Sequence, residues 1–537
     1  MKKLVSLVLA LAMLLSMTAA LADTVGGMED GWWKDIEIAP SETFHLDEPL
    51  TITALGFNQY PTEFDGCYYL PTVEKYTNVH LQVDWRPDSD WNTQIATALA
   101  GGVDNLPYLI RPGSYGVAAL ANEGAIVPLD DYLDLIPNIV AAVGEERFAD
   151  WKAADGHFYT IPTLVNVPGS QSTAVRKDWL EKLNMDVPTT WEEWKAYWYG
   201  VRDNDMNGNG DTTDEIPIVL EMGQNGERSL HALLNAFGIK ASSDAQFCVL
   251  DDGTYTMVYE HPRYREFITE MQKLYADKII DQEFATRYQA EMYNTMSGNL
   301  AGTVFTWAEQ CAVHSETLIA NGVEDALYLT CAPITGPYGD QWIQKRQGVT
   351  GNWCITEKAA QDGKVEDILK FWNWMFSDEG VMLYNYGIED YTYTMVDGKA
   401  ILNPEITASG FNDYRTLGME FEPVGGNWQN DAFMQCVFSG KTVDELTIPR
   451  KSFYDGLNEH GVNDGKYYAM PPTLETEAYV EYRAELISSG VCALRDQCVA
   501  GQLSVDDFFA KYEELKARGL QDILDEGAEA YALIVGE

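Results

Sequence analysis

From residue 50 onwards, short apolar stretches of the chain alternate with amphipathic stretches. Leu50 to Phe57 is apolar and β-rich and predicts a first buried strand, with Asn58 and Tyr60 shortly after it. The following segments predict helix, strand and helix, at 71–77, 79–85 and 91–100. This order predicts an α/β fold, in which ligands bind at the carboxyl ends of the strands.

A further helix is predicted from Thr190, because Thr190 and Glu193 have the spacing of a capping box. Three tryptophans recur on this helix at helical spacing: Trp191, Trp194 and Trp198. Such a stripe is typical of core packing rather than of a ligand platform. The helix leads directly into the loop at 203–215.

That loop carries short oxygen-bearing side chains at every second position. In a tight turn this spacing lets carboxylate and amide oxygens converge on one hard cation, so we predict a structural Ca²⁺ site. The alternative is a solvated turn, rich in Asn, Gly and Asp, that binds no metal.

Two registers fit a calcium loop here. If Asp203 opens the loop, Gly208 takes the turn position, and if Asp205 opens it, Gly210 does. In the second register Asp211 would offer its backbone carbonyl. The metal ligands predicted in that register are Asp205, Asn207, Asn209, Asp211, Asp214 and Glu215. The side chains at 205, 207, 209 and 214 are ligands in both registers.

Length and composition predict an exported globular protein of two large lobes or two to four domains, since the chain has 537 residues, 46% of them hydrophobic. Residues 1–22 combine Lys2 and Lys3 with an apolar run and end in small residues, which predicts a signal peptide cleaved before Asp23. No later apolar run approaches the roughly 20 residues that a membrane-spanning helix needs.

The formal net charge of −47 argues against nucleic acid and anionic membranes as partners. Eight cysteines are too sparse for a disulfide scaffold, so we expect mostly buried thiols. Cys492 and Cys498 could pair only if the segment between them bends. The sequence has no zinc-protease or serine-hydrolase motif, and we predict no catalytic residues.

The segment from Asn207 to Pro217 resembles the calcium loop of the extracellular solute-binding proteins of family 1, in the lipoprotein-type branch that binds alginate and oligosaccharides. The resemblance favours the second register. Other segments also match the sequence pattern of this family, and together they extend over nearly the whole mature chain. They are residues 176–183 and 187–191, residues 386–390, Tyr393 and 397–399, and residues 500–507 and 519–520. Members of this branch usually carry a lipobox cysteine after the signal, and here the junction reads Ala20-Leu21-Ala22-Asp23. We therefore expect release from the cell or retention at its surface by another contact.

The resemblance implies a two-lobed periplasmic-binding-protein fold of class II (Venus-flytrap) with the ligand in the cleft. After the signal peptide and an entry segment at 23–49, we expect lobe one at 50–165 and 338–400. Lobe two, with the calcium loop at 203–215, is expected at 166–337 and 401–537. Closure on the ligand would be a hinge motion recognised by an ABC transporter permease, with ATP hydrolysed by other subunits.

The implied function is that of an extracellular substrate-binding component of an ABC importer, acting as a monomer on a carbohydrate such as an oligosaccharide. Aromatic side chains cover sugar rings while polar groups bind the hydroxyls. The predicted ligand-binding residues are Trp307, Trp353, Trp428, Trp85, Asn58 and Tyr60. Two alternatives stay open: a secreted glycoside hydrolase or polysaccharide lyase, which would turn its sugar over, and a binding protein for peptides or other small solutes.

Overall fold

The structure, a computed structural model, describes the following residues: 24–25, 28–29, 36–58, 69–87, 91–143, 152–153, 155–164, 171–222, 228–242, 244–345, 349–403, 446–460 and 467–535. They form two compact units. Unit 1 comprises the described residues within Met1–Trp151, His157–Asn166 and Val349–Glu445, and unit 2 those within Lys152–Gly156, Val167–Gly348 and Leu446–Glu537. The predicted signal peptide, Tyr60 and Trp428 lie outside the described residues.

The strands are short, as the sequence predicts. In chain order they are β1 (Thr24–Val25), β2 (Met28–Glu29), β3 (Leu50–Asn58), β4 (Val79–Pro87), β5 (Leu109–Ile110), β6 (Thr160–Leu164), β7 (Gln171–Arg176), β8 (Ile216–Val219), β9 (Phe247–Val249), β10 (Tyr255–Met257), β11 (Ala301–Trp307), β12 (Tyr328–Cys331), β13 (Ile343–Lys345), β14 (Val349–Ile355), β15 (Tyr393–Val396), β16 (Lys399–Leu402) and β17 (Tyr467–Ala469).

The α-helices flank these strands. They are α1 (Tyr69–Thr77), α2 (Trp91–Ala100), α3 (Val117–Asn122), α4 (Pro137–Val143), α5 (Lys177–Leu183), α6 (Trp191–Arg202), α7 (Arg228–Ala236), α8 (Tyr264–Ala276), α9 (Gln289–Ser297), α10 (Ala308–Ala320), α11 (Glu357–Gln361), α12 (Val365–Met375), α13 (Asp378–Tyr386), α14 (Ile448–His460), α15 (Glu477–Tyr482), α16 (Ala493–Val499), α17 (Val505–Leu515) and α18 (Gln521–Val535). Two wider π-helical turns, Arg483–Cys492 and Lys516–Leu520, join the last helices.

Unit 1 is built on a five-stranded sheet in the order β4-β3-β5-β14-β6. The predicted first strand is confirmed as β3, which pairs in parallel with β4 and β5. Trp85 of β4 and Trp353 of β14 meet across this sheet with their ring centroids 6.2 Å apart. Between the two indoles lies Gly56, where a Cβ atom would stand 2.7 Å from Trp85 and 2.9 Å from Trp353. Only glycine fits at this position without displacing one of the two indoles.

Unit 2 is built on a four-stranded sheet in the order β12-β7-β11-β8. Strand β11 lies parallel to β8 and antiparallel to β7. Helix α6 packs on this sheet, and its predicted capping box is present, since the Thr190 side chain accepts a hydrogen bond from the Glu193 backbone N–H. The predicted tryptophan stripe is buried in the core of the unit: Trp191, Trp194 and Trp198.

The chain passes between the units at places set by strand pairing. Strand β13 pairs with β17 within unit 2, and the return to unit 1 begins at β14. Strand β16 forms a hairpin with β15, so unit 1 continues past residue 400. The lobe limit expected at 337/338 lies 11 residues before this return to unit 1. The limit expected at 400/401 lies inside this hairpin.

Among the described residues, no helix is both long enough and apolar enough to cross a membrane. Of the cysteines in the described part of the chain, all but the half-buried Cys492 are buried. The expectation of buried thiols is confirmed for these residues, and Cys492 and Cys498 do not pair.

Because two indoles lie close to Gly56, adding one methyl group at this position should lower the stability of the protein. Gly56→Ala should lower the free energy of unfolding by roughly 1–3 kcal/mol, because the rings of Trp85 and Trp353 are held in the core and have little room to move. Thr51→Ala, at an exposed position of the same strand, is the matched control and should cost less than about 1 kcal/mol. Denaturant unfolding measures both, and equal losses for the two variants would contradict the packing argument.

Candidate functional site

The loop between α6 and β8 is closed by the Asp205 carboxylate. Asp205 Oδ1 accepts hydrogen bonds from the backbone N–H groups of Gly208 (2.6 Å) and Asn209 (3.1 Å), and Oδ2 accepts one from Gly210 (2.8 Å). Gly208 and Gly210 have φ angles of 79° and 90°, which glycine adopts without steric cost. One carboxylate thus gathers three successive amides and turns the chain around itself.

Two amide side chains and a second carboxylate converge on this turn. Asn207 Oδ1 accepts from the Asn209 N–H (3.0 Å), and Asn209 Oδ1 accepts from the Asp211 N–H (2.7 Å). The Nδ2 groups of Asn207 and Asn209 donate to the two oxygens of Asp214 at 3.2 and 2.6 Å. The structure therefore brings together the four side chains that were predicted ligands in both registers.

Glu215 lies behind the first turn of the loop. Its Oε1 accepts hydrogen bonds from the backbone N–H groups of Met206 (2.6 Å) and Asn207 (3.0 Å). Its Oε2 is buried and has no hydrogen-bond partner. Burial raises the pKa of the Glu215 carboxyl, and the nearby Asp214 raises it further. A buried carboxylate oxygen without a partner is costly, and a cation in the loop would reduce that cost.

The two remaining acidic residues of the loop point elsewhere. The Asp203 carboxylate accepts hydrogen bonds from the guanidinium of Arg202 at 2.7 and 3.0 Å, and these bonds lower its pKa. Asp211 Oδ1 accepts from the Thr213 hydroxyl and backbone N–H, which lowers the pKa of Asp211. This geometry favours the register opened by Asp205, in which Asp211 offers its backbone carbonyl.

The residues of the loop fit a hard cation. In the described part of the chain, no three His, Cys, Asp or Glu side chains group together as a metal site. The loop instead offers the carboxylates of Asp205 and Asp214 with the amides of Asn207 and Asn209. Such an all-oxygen donor set suits Ca²⁺ rather than Zn²⁺ or a redox metal.

The predicted sugar-binding residues lie in different surroundings. Trp307 ends β11 and is half-buried. Trp85 and Trp353 are 9% and 0% exposed and lie together in the core of unit 1. Asn58 is the last residue of β3, and its side chain, like Tyr60 and Trp428, lies outside what the structure describes.

A polar cluster beside the end of β11 was not predicted from the sequence. The Thr306 hydroxyl donates to the Tyr293 hydroxyl at 3.4 Å, and the Tyr293 ring packs against His314 with centroids 4.8 Å apart and the ring planes tilted by 37°. His314 Nδ1 lies 2.8 Å from the Ser297 Oγ, and its Nε2 is buried with no hydrogen-bond partner. These residues come from α9, β11 and α10, so no local pattern could have joined them.

Comparison with known proteins finds a family match over part of the chain and a shared fold over most of it. Residues 56–208 match the family described as bacterial extracellular solute-binding protein. The alginate-binding protein AlgQ2, solved without calcium ion, shares the fold with a TM-score of 0.72 and 22% identity, covering 91% of this chain and 99% of AlgQ2. The resemblance to solute-binding family 1 is confirmed.

Two curated relatives of this solute-binding fold are carbohydrate-binding proteins. The fructooligosaccharide ABC transporter substrate-binding protein FusA of Streptococcus pneumoniae serotype 4 is 27% identical over 57% of this chain and 57% of FusA. The chain thus spans little more than half of FusA. The polygalacturonan/rhamnogalacturonan-binding protein YtcQ of Bacillus subtilis strain 168 is 21% identical over 90% of this chain and 91% of YtcQ.

The predicted fold class is confirmed by these likenesses. The matched family and the structural neighbours are binding proteins. The roles of the individual metal and ligand residues in this solute-binding fold stay predictions.

The His314 cluster predicts a pH dependence of stability. Burial lowers the pKa of His314 from 6.5 to about 4, so the folded protein keeps the imidazole neutral where the unfolded chain protonates it. The stability that this group contributes is therefore present above pH 6.5 and is lost as the pH falls from there towards 4. The free energy of unfolding of the wild type should fall more steeply over this range than that of His314→Gln.

The matched control for this experiment is His45→Gln. His45 is exposed and its Nδ1 lies 2.9 Å from the carbonyl oxygen of Tyr76, so this variant removes a histidine without removing a buried imidazole. Denaturant titrations at a series of pH values give the comparison. Parallel profiles for the wild type and His314→Gln would show that the buried imidazole is not the group responsible.

Proposed function

We propose that this chain is the extracellular substrate-binding component of an ABC importer, which captures an oligosaccharide and presents it to a membrane permease without cleaving it. The observation that carries this proposal is the likeness to AlgQ2 over 91% of the chain. The family match at residues 56–208 and the relative FusA, named for a fructooligosaccharide transporter, support the same function.

The sheet of unit 2 supports a carbohydrate ligand. Strands β8 and β11 run parallel, and ligands of α/β proteins bind at the carboxyl ends of such strands. Trp307 ends β11 there, and a half-buried indole can cover the apolar face of a sugar at low entropic cost. We therefore keep Trp307 as the first aromatic contact of the ligand.

We also propose that the loop at 203–215 holds Ca²⁺ in a structural role. The carboxylates of Asp205 and Asp214 would supply the charge, and the amide oxygens of Asn207 and Asn209 and the Asp211 carbonyl would complete the shell with Glu215 behind them. Bound Ca²⁺ supplies charge neutralisation for the facing carboxylates. The ion would fix the exit of α6 and the start of β8, and so the parallel pair β8–β11 on which Trp307 stands.

Binding without turnover is the expected outcome for a panel of oligosaccharides. Isothermal calorimetry of the mature protein, with Ca²⁺ present, should give saturable binding to at least one oligosaccharide and a change in tryptophan fluorescence. Chromatography of the same mixtures after prolonged incubation should recover the sugar intact. Steady appearance of shorter or unsaturated products would identify a hydrolase or lyase instead, and heat from peptides alone would identify a peptide-binding protein.

Calcium and a matched pair of variants test the loop. At a Ca²⁺ concentration 100 times its Kd, the ion should stabilise unit 2 by about 2.7 kcal/mol, and a chelator should remove this gain. For a unit of this size each kcal/mol corresponds to roughly 2–4 °C in Tm. Asp205→Ala should abolish the calcium-dependent shift, because Asp205 is both a predicted ligand and the acceptor that closes the turn.

The control is Asp203→Ala, which removes a neighbouring carboxylate that faces Arg202. This variant should keep the calcium-dependent shift in Tm. If Asp203→Ala loses the shift as Asp205→Ala does, the register is the one that Asp203 opens, and if chelation leaves the wild-type Tm unchanged, the loop holds no ion.

A further inference from the structure

A small pocket opens on unit 2 beside the strand ends that carry Trp307. Ten residues line it, among them Ser172, Thr173, Asn235, Phe305 and Trp342. Ser172 lies opposite Thr306 in the β7–β11 pair, one position from Trp307. The enclosed part measures about 20 Å³, which is room for one water molecule or one hydroxyl group.

The wall of this pocket contains a tryptophan that is held in place. The Lys240 Nζ lies 3.6 Å from the centroid of the Trp342 ring. The indole Nε1–H donates to Asp340 Oδ1 at 3.3 Å, and the Asp340 carboxylate is in turn paired with Arg263. Trp342 is half-buried, so part of its surface remains accessible. A ligand that packs on this ring meets an aromatic surface whose orientation is already fixed, which lowers the entropic cost of binding.

Hydrogen-bonding groups line the floor of the pocket. The Ser172 hydroxyl belongs to the other face of the sheet, where it donates to the Thr306 carbonyl at 3.4 Å and lies 3.9 Å from the Cys311 Sγ. Thr173 and Asn235 are almost fully buried, and the Tyr468 hydroxyl lies against Asn235. The pocket thus combines an aromatic wall with hydroxyl and amide groups, the combination by which proteins bind sugars.

We propose that this pocket is a subsite for an uncharged sugar residue, whose ring packs on Trp342 and whose hydroxyl or hydroxymethyl group enters between Thr173 and Asn235. This inference rests on the proposed function, because it names the part of unit 2 that touches the oligosaccharide and the chemical class of that sugar.

The absence of charge in the lining excludes acidic sugars from this subsite. None of the ten lining residues is charged. A uronic acid differs from the matching hexose by a carboxylate in place of the hydroxymethyl group, and a carboxylate buried without a cation is strongly disfavoured. Lys240 lies against the Trp342 ring and is not one of the lining residues. The subsite therefore selects neutral sugars over the uronates of which alginate and polygalacturonan consist.

The first experiment compares variants of the full mature protein by calorimetry with neutral oligosaccharides. Trp342→Ala should raise the Kd roughly 10- to 100-fold, because an interfacial tryptophan commonly contributes 1.4–2.8 kcal/mol. Trp342→Phe keeps an aromatic ring and should stay within about tenfold of the wild type. Tyr391→Ala removes an exposed aromatic side chain of unit 1 and should leave the Kd unchanged.

Fluorescence gives a second readout that does not depend on the alanine variant. If Trp342 touches the sugar, Trp342→Phe should lose much of the fluorescence change that the wild type shows on sugar addition. Unchanged Kd values in a folded Trp342→Ala protein, or an unchanged fluorescence response in Trp342→Phe, would overturn the subsite while the proposed function stands.

The second experiment compares neutral and acidic ligands of matched ring chemistry, such as β-galacto-oligosaccharides with oligogalacturonates and manno-oligosaccharides with oligomannuronates, together with kestose. Binding of neutral members with at least tenfold lower Kd than uronates supports the proposal. Preference for uronates overturns it and leaves the importer function in place. If neither class binds, the proposed function falls and the subsite falls with it.

Discussion

Three backbone amides bound to the carboxylate of Asp205 fix the segment on which the rest of unit 2 depends. That turn sets the positions of Asn207 and Asn209, whose amides hold Asp214, and the strand β8 begins two residues later. Strand β8 is the parallel neighbour of β11, and helix α6, which enters the loop, is tied to β11 by a hydrogen bond from the Trp198 indole to the Thr303 hydroxyl. One local carboxylate thus organises both elements that position the end of β11.

This arrangement explains how a loop can matter to binding without touching a ligand. A cation bound among the Asp205 and Asp214 carboxylates would favour the folded loop, because both negative charges are held within one short turn by hydrogen bonds from amide groups. A cation would also stabilise the buried Oε2 of Glu215, which has no hydrogen-bond partner. An ordered loop would fix the position of β8, and with it the neighbouring end of β11 where a sugar would bind.

Local features of the fold could be predicted from the sequence, and non-local ones could not. The capping box at Thr190, the tryptophan stripe of α6 and the strand β3 depend on spacing within a few residues, and all three are present. The register of the proposed calcium loop stays open in the sequence because alternating Asp and Asn residues fit both registers. The pairing of Asp203 with Arg202 favours the register that Asp205 opens. Trp353 was predicted to bind the ligand, yet it packs in the core against Trp85, which lies 268 positions earlier in the chain. The pocket at Trp342 and the cluster at His314 join separate elements, so no sequence window contains them.

The central claim is that the turn opened by Asp205 is a cation site that supports the binding edge of unit 2. A crystal structure of the mature protein grown with millimolar Ca²⁺ tests it most directly. The account predicts one ion bound at 2.3–2.6 Å by oxygens of Asp205, Asn207, Asn209 and Asp214, with Asp203 still paired with Arg202. A loop that stays empty under those conditions, or an ion that takes Asp203 as a ligand, would contradict it.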